Sequence, residues 1–407
     1  MKTSMISVLT RRDVMATCAL ALARGDVLCL AAQGENRVDR AGRLSFILSK
    51  ELKGTFYRAI SPDSRLLCVA SMASPSGKIS VAGGNGAVVG YQPPSAFTLS
   101  VLEMGSWRSI YSASPGGGAG AFGFFLSSDT LYGETSVYSH ADGRISAIKH
   151  FMVINLGTGS IEEREQRVGE RAYAGCQALK DSTLICTADN NDLLQVEWPS
   201  FQERVRVSGV GSVRSARFTG DRKTLVHLVG QRLFCRRTDD FSVLWTRDVD
   251  DNIDLSARMK WSDPAKAPYL SSAQYAVSAD GTVVVLGVTG TSFEGGQKRF
   301  YTEVLDGRNG KPTARWPLDH GDDLVVSPDG ALVGIAMISD RQSGWIETTV
   351  RMFGVSSGRQ VAEVIHDRLP RNRRLNASLL GGVDFTPDGR YLITSANGSV
   401  KIWQLSR

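Results

Sequence analysis

Ser327-Pro328-Asp329-Gly330-Ala331-Leu332-Val333 decides the fold, because other segments repeat its outline. Close copies are Ser61-Pro62-Asp63-Ser64-Arg65-Leu66-Leu67, Ser278-Ala279-Asp280-Gly281-Thr282-Val283-Val284 and Thr386-Pro387-Asp388-Gly389-Arg390-Tyr391-Leu392. Each reads as a tight turn that feeds an apolar strand. Pro pre-sets φ near −65°, Asp bonds back to the backbone, and Gly tolerates positive φ. Three weaker copies, each lacking the Pro or the Gly, are Leu126-Ser127-Ser128-Asp129-Thr130-Leu131, Leu179-Lys180-Asp181-Ser182-Thr183-Leu184 and Thr219-Gly220-Asp221-Arg222-Lys223-Thr224-Leu225. The Asp anchors therefore fall at 63, 129, 181, 221, 280, 329 and 388.

A second strand pair follows each anchor. Examples are Phe151–Asn155, Leu193–Trp198, Arg232–Arg237, Phe300–Leu305 and Val350–Val355, several closed by Gly-containing turns. Short strands, frequent turn punctuation and no sustained 3.6-residue period predict an all-β chain. One anchor plus one closing pair makes a four-stranded unit, so seven anchors predict seven units.

The stretch Val383 to Trp403, which carries the last anchor and ends Val400-Lys401-Ile402-Trp403, resembles a WD-repeat unit. Gln404 stands where the family has Asp after Trp. The family's Gly-His dipeptide is absent, with His320-Gly321 its nearest, reversed, counterpart. The chain is thus similar to the degenerate bacterial WD-repeat-like and quinoprotein amine dehydrogenase-like (YVTN-type) β-propellers, over about residues 43–407. The resemblance implies a seven-bladed β-propeller of four-stranded antiparallel blades. Arg43–Ser49, a lone strand before the first anchor, is expected to close the ring by joining the Trp403 blade. Closure removes two exposed sheet edges.

Residues 1–32 read differently. Thr10-Arg11-Arg12-Asp13-Val14-Met15 resembles a twin-arginine export signal, and the apolar run Val14 to Ala23 has the length of a signal h-region. Residues 33–42 read as a linker. Export to the periplasm or beyond is the expectation, with a cytoplasmic protein the alternative. No later run reaches the eighteen or more apolar residues of a membrane helix. The formal charge of +6 is spread over both signs, unlike a nucleic-acid-binding face. The six Cys contain no C-x-x-C pair and read as buried free thiols.

The anchors average about 54 residues apart, against roughly 40–45 in a minimal blade. The surplus lies in second-to-third-strand loops of blades one (Ser71–Asn85, so that the third strand is expected to begin at Gly86), two (Ser136–Ser146), five (Thr289–Lys298) and six (Ser339–Ile346) and in the connections between blades. Both loop classes emerge on one face of a propeller, so one face is elaborated for contacts. Arg368, Arg371, Arg373 and Arg374 cluster in the connection from blade six to seven, and guanidinium groups suit carboxylate or phosphate recognition. Trp107, Trp261 and Trp345 fall in long connections and are candidate binding anchors.

Catalytic patterns fail on inspection. Asp248-Val249-Asp250-Asp251-Asn252-Ile253-Asp254 begins like an EF-hand loop, but Ile253 replaces the turn Gly and Met259 the bidentate Glu. Gly118-Ala119-Gly120-Ala121-Phe122-Gly123 runs into a strand, not the helix a dinucleotide site needs. The five His are dispersed, and His227 reads as a satisfied core residue. No metal and no cofactor is expected. The leading expectation is an exported, monomeric, non-catalytic scaffold for a protein or peptide partner. An enzyme resembling propeller lactonases or quinoprotein dehydrogenases, with its site at the central channel, is the alternative. A sensor of small ligands or glycans is a second alternative.

Overall fold

The structure, a computed structural model, describes residues 44–406 apart from 73–77, 84–85, 92–96, 114–121, 142–143, 168–172, 181, 189–191, 199, 210–215, 230–231, 250–269, 292–297, 318–322, 342–344 and 371–381. Every regular element among them is a strand, and no helix is long and apolar enough to cross a membrane. The expected leader and linker, residues 1–42, lie outside the described residues.

Strand β1 (Ser45–Lys53) comes first. Blade one is β2 (Thr55–Ile60), β3 (Leu66–Met72), an inserted hairpin of β4 (Lys78–Gly83) and β5 (Gly86–Tyr91), then β6 (Phe97–Glu103) and β7 (Ser109–Ala113). Blade two is β8 (Phe122–Phe125), β9 (Thr130–Ala141), β10 (Arg144–Asn155) and β11 (Ile161–Arg167). Blade three is β12 (Tyr173–Lys180), β13 (Thr183–Ala188), β14 (Leu193–Glu197) and β15 (Gln202–Val207). Blade four is β16 (Arg217–Phe218), β17 (Thr224–Val229), β18 (Arg232–Arg237) and β19 (Val243–Asp248). Blade five is β20 (Leu270–Val277), β21 (Val283–Thr291), β22 (Lys298–Asp306) and β23 (Pro312–Pro317). Blade six is β24 (Asp323–Val326), β25 (Leu332–Arg341), β26 (Trp345–Gly354) and β27 (Gln360–Pro370). Blade seven is β28 (Gly382–Phe385), β29 (Tyr391–Ala396) and β30 (Ser399–Ser406), completed on its outer side by β1. All pairs are antiparallel, and the seven sheets form a ring, so the chain is a seven-bladed β-propeller. The expected closure holds, with Phe46 opposite Leu405 and Lys53 opposite Ser399.

The anchor turns repeat one hydrogen-bond circuit. A Ser or Thr hydroxyl donates to Asp Oδ1 at 2.6–2.7 Å in Ser61–Asp63, Ser127–Asp129, Thr219–Asp221, Ser278–Asp280, Ser327–Asp329 and Thr386–Asp388. In five of these turns the same hydroxyl accepts the N–H that opens the second strand, from Leu66, Thr224, Val283, Leu332 or Tyr391. Burial alone would raise the Asp63 carboxyl, but hydrogen bonds from Ser61 and Arg65 outweigh it and hold the group at about 2. Asp280 and Asp388 are lowered against the same opposition. Where Gly is missing, Ser64, Ser182 and Arg222 take φ of 61°, 59° and 56° in its place.

A second bond ties each anchor turn to the C-terminal end of the third strand of its blade. Met104, Leu156, Trp198, Thr238, Gly307, Val355 and Leu405 donate their N–H groups to the carbonyls of Arg65, Asp129, Ser182, Lys223, Thr282, Ala331 and Arg390, one in each blade. At Gly307 the approach is so close that a Cβ would stand 1.9 Å from the Gly281 carbonyl oxygen, which only glycine permits.

The core is seven apolar layers, each shared by two adjacent blades. One joins Cys68, Leu99 and Val101 of blade one to Phe125, Leu131 and Ile154 of blade two. Another joins Val350, Met352 and Val364 of blade six to Phe46, Val383, Leu392 and Trp403 of blade seven. His227 is buried as expected: its Nε2 accepts from Arg236 at 3.1 Å, and its ring stacks on Phe234.

Two expectations need correction. Gly86–Tyr91 is a strand, but it pairs with β4; the third strand of blade one is β6, paired from Leu66↔Glu103 to Met72↔Phe97. Cys186 is disulfide-bonded, whereas Cys68 and Cys235 are buried and in no disulfide, as expected.

The circuit gives one testable consequence here. The Ser327 hydroxyl is buried and makes two hydrogen bonds, so Ser327→Ala is expected to cost about 1–2 kcal/mol in urea denaturation. Ser327→Thr is expected to keep most of that stability, since Thr219 and Thr386 fill the same role.

Candidate functional site: the hairpin-bearing face

The surplus residues of the repeat form paired strands, not irregular loops. In blade two the β9–β10 ladder runs on to Ala141↔Arg144, and in blade five β21–β22 reaches Thr291↔Lys298. In blade six β25–β26 reaches Arg341↔Trp345, and β27 follows as a third strand to Trp345↔Pro370. Twelve-residue β9 exceeds six-residue β13 by six residues, about 20 Å of extra strand. Blades three, four and seven have five- to eight-residue second and third strands. The elaborations therefore stand on adjacent blades five and six and adjacent blades one and two, all on the second-to-third-strand side.

The best-described part of this face is the seam between blades six and seven. Arg368 lies on β27, not in the following connection, and its Nε donates to Glu347 Oε1 at 2.7 Å. Glu347 is buried while the Arg368 side chain is half exposed, so the ion pair leaves part of the guanidinium facing outward. Beside it, Lys401 Nζ donates to Asp367 Oδ1 at 3.1 Å, and Asn397 Nδ2 donates to Asp367 Oδ2 at 2.9 Å. Thr348 and Asp367 bond through side chain and backbone.

Beneath these charges sits His366. Its Nδ1 shares a hydrogen bond with Thr394 Oγ1 at 2.6 Å, and its Nε2 shares one with Ser399 Oγ at 3.1 Å. Trp403 Nε1 donates to the same Thr394 oxygen at 2.9 Å. Burial pushes the imidazole down to about 4; Asp367 opposes that and Lys401 reinforces it. A neutral, buried ring whose two nitrogens are both engaged is a pin between blades six and seven. It has no free nitrogen to offer a substrate.

The sequence candidates separate. Trp345 opens β26, opposite Arg341 and Pro370, at the turn end of the blade-six hairpin. Trp107 lies on the other face, in the turn between β6 and β7, with φ of 57°. It packs edge-on against Tyr391 at 6.3 Å between blades one and seven, so it pins a seam. Its assignment to a long connection followed from taking β5 as the third strand. Arg371, Arg373, Arg374 and Trp261 lie outside the described residues, as do His320 and Asp250 to Asp254. Asp248 ends β19, held by Arg232 at 2.6 Å. Phe122 and Gly123 open the innermost strand of blade two, where the dinucleotide reading needed a helix. Among the described residues, no group of three or more His, Cys, Asp or Glu is arranged to hold a metal ion.

Sequence reasoning missed His366, Thr394 and Lys401. The only linear signal was the nine-residue step from Thr394 to Trp403, which spans one hairpin.

Comparisons with known proteins agree with this architecture. Residues 376–404 match the family described as WD domain, G-beta repeat. The fold is similar to the crystal structure of the Myceliophteria thermophila Cps50 (Swd1) β-propeller domain, with a TM-score of 0.51, 9% sequence identity, and coverage of 89% of this chain and 100% of that one. No curated protein matches the chain.

Proposed function

The chain is a WD-repeat-like β-propeller, and from that fold we propose that it is an exported, non-catalytic scaffold holding a protein or peptide partner on its hairpin-bearing face. Propellers of WD repeats serve in general as interaction scaffolds. The observation that carries the proposal here is the one-sided lengthening of blades one, two, five and six. Extended hairpins on a rigid ring present contact surface without ordering a loose loop, which lowers the entropic cost of binding. The half-exposed Arg368 offers that face a guanidinium suited to an anionic group, and Arg371, Arg373 and Arg374 follow it in sequence. Two features support export: the twin-arginine-like leader, and the Cys186 disulfide, since such bonds persist in oxidising compartments.

The test is affinity purification of the full chain from its native envelope fraction. A stoichiometric partner is expected. Replacing Arg371, Arg373 and Arg374 together by Ala is expected to weaken its binding at least tenfold while leaving the thermal midpoint unchanged. A partner held equally well by that variant would overturn the assignment of this face. A partner-free protein with a tightly bound metal would favour the enzyme alternative.

A further inference from the structure

We infer that the disulfide of Cys186 is made with Cys176, and that it staples the one blade whose anchor motif carries Leu where the other six carry Ser or Thr. In the register of blade three Cys176 stands directly opposite Cys186 on the adjacent strand. Directly opposed residues of an antiparallel pair have Cα atoms about 4.5–5.5 Å apart, inside the range that a disulfide bridges. Cys68 and Cys235 are in no disulfide, which leaves only Cys18 and Cys29 as rivals, far away in sequence.

The placement explains why a staple belongs there. In six blades a Ser or Thr hydroxyl binds the anchor Asp. In blade three Leu179 occupies that position and has no hydroxyl to give. The β12–β13 ladder is also irregular on both sides of the pair, between Tyr173 and Cys176 and between Ala178 and Lys180. Oxidation closes a short loop across this turn and removes conformations from the unfolded chain.

The chemistry is a two-electron oxidation. Both thiols lose their protons, one S–S bond forms, and the two electrons and two protons pass to a disulfide-form oxidant, which leaves as a dithiol. The fold sets the register before the bond exists, so the reduced protein is expected to keep the fold at lower stability.

The experiment uses the full chain purified without reductant, alkylated, and digested with trypsin under non-reducing conditions. Peptides 172–180 and 181–204 are expected as one linked species that separates on reduction. Dithiothreitol is expected to lower the melting midpoint of the native chain by roughly 3–8 °C. It should leave the midpoint of the Cys176→Ala, Cys186→Ala double variant unmoved. Cys186 linked to a peptide carrying Cys18 or Cys29, or Cys176 alkylated freely before reduction, would overturn the pairing. An unchanged midpoint of the native chain under reductant would overturn the stapling role, even where the double variant fails to fold. None of these readouts depends on the presence of a binding partner.

Discussion

Phe46→Ala is expected to destabilise the whole ring by about 3–5 kcal/mol, while Ile47→Ala beside it stays within about 0.5 kcal/mol of the parent. Phe46 is 2% exposed and Ile47 56% exposed, although they are neighbours on one strand. The alternation of a strand puts Phe46 into the layer between blades six and seven, against Trp403, Val364 and Val383. Farther along β1, Leu52 packs into the layer shared by blades seven and one. The strand thus touches both seams of the closing blade and covers the outer edge of β30. In a closed ring every seam supports the next, so loosening this one exposes two apolar layers together. Urea denaturation of the two single variants measures the contrast. Equal losses for Phe46 and Ile47 would show that β1 contributes ladder hydrogen bonds alone. Deletion of residues 44–53 is expected to go further, leaving β30 as an open edge prone to association, read as a shift from the parent's peak to larger species in size exclusion.

The anchors were legible because their chemistry is local. Ser, Pro, Asp and Gly at fixed offsets specify a turn wherever they occur, and the structure closes the same circuit at Ser61, Ser278, Ser327 and Thr386. Ring closure was legible from a lone strand and a blade short of one. The third strand of blade one was not, because Gly86–Tyr91 and Phe97–Glu103 carry equal strand signals. Only the long-range pairing with β3 chooses between them. That ambiguity also moved Trp107 to the wrong face. The disulfide was missed for a related reason: whether Cys176 faces Cys186 depends on register, which spacing does not supply. The His366 pin draws on β27, β29 and β30. Its members are unremarkable singly and become a unit only when two blades meet. The face chosen for contacts was visible as surplus length, but its ladder extensions were not, since long hairpins and long loops look alike when their tips are polar.

Stability is expected to fall in two separable steps as pH drops, and His366 sets the first. Burial holds its imidazole at about 4 in the folded chain, against 6.5 when exposed. A base whose folded value is depressed favours folding above the unfolded value. As pH falls below 6.5 the unfolded chain takes up a proton that the folded chain refuses, and folding loses ground until the ring itself titrates near 4. At about 1.4 kcal/mol per pH unit, the loss amounts to about 3 kcal/mol. The groups facing the ring fix the sign. Thr394 and Ser399 are neutral hydroxyls, Asp367 and a hydrogen bond with the Ala396 backbone favour the cation, and Lys401, which itself binds Asp367, disfavours it. The second step belongs to the anchor carboxylates. Asp63, at about 2, loses its advantage only as pH falls from 3.8 toward 2, with Asp280 and Asp388 depressed in the same direction. Urea midpoints measured from pH 7.5 to 3 on the parent and on His366→Gln separate the two. The Gln variant is expected to start lower at pH 7.5, because the pin is weakened. Between pH 6.5 and 4 its curve should run flatter than the parent's, and below pH 4 the two should fall together. Parallel curves across the whole range would mean that the imidazole is not the group that couples the blade six–seven seam to the proton concentration.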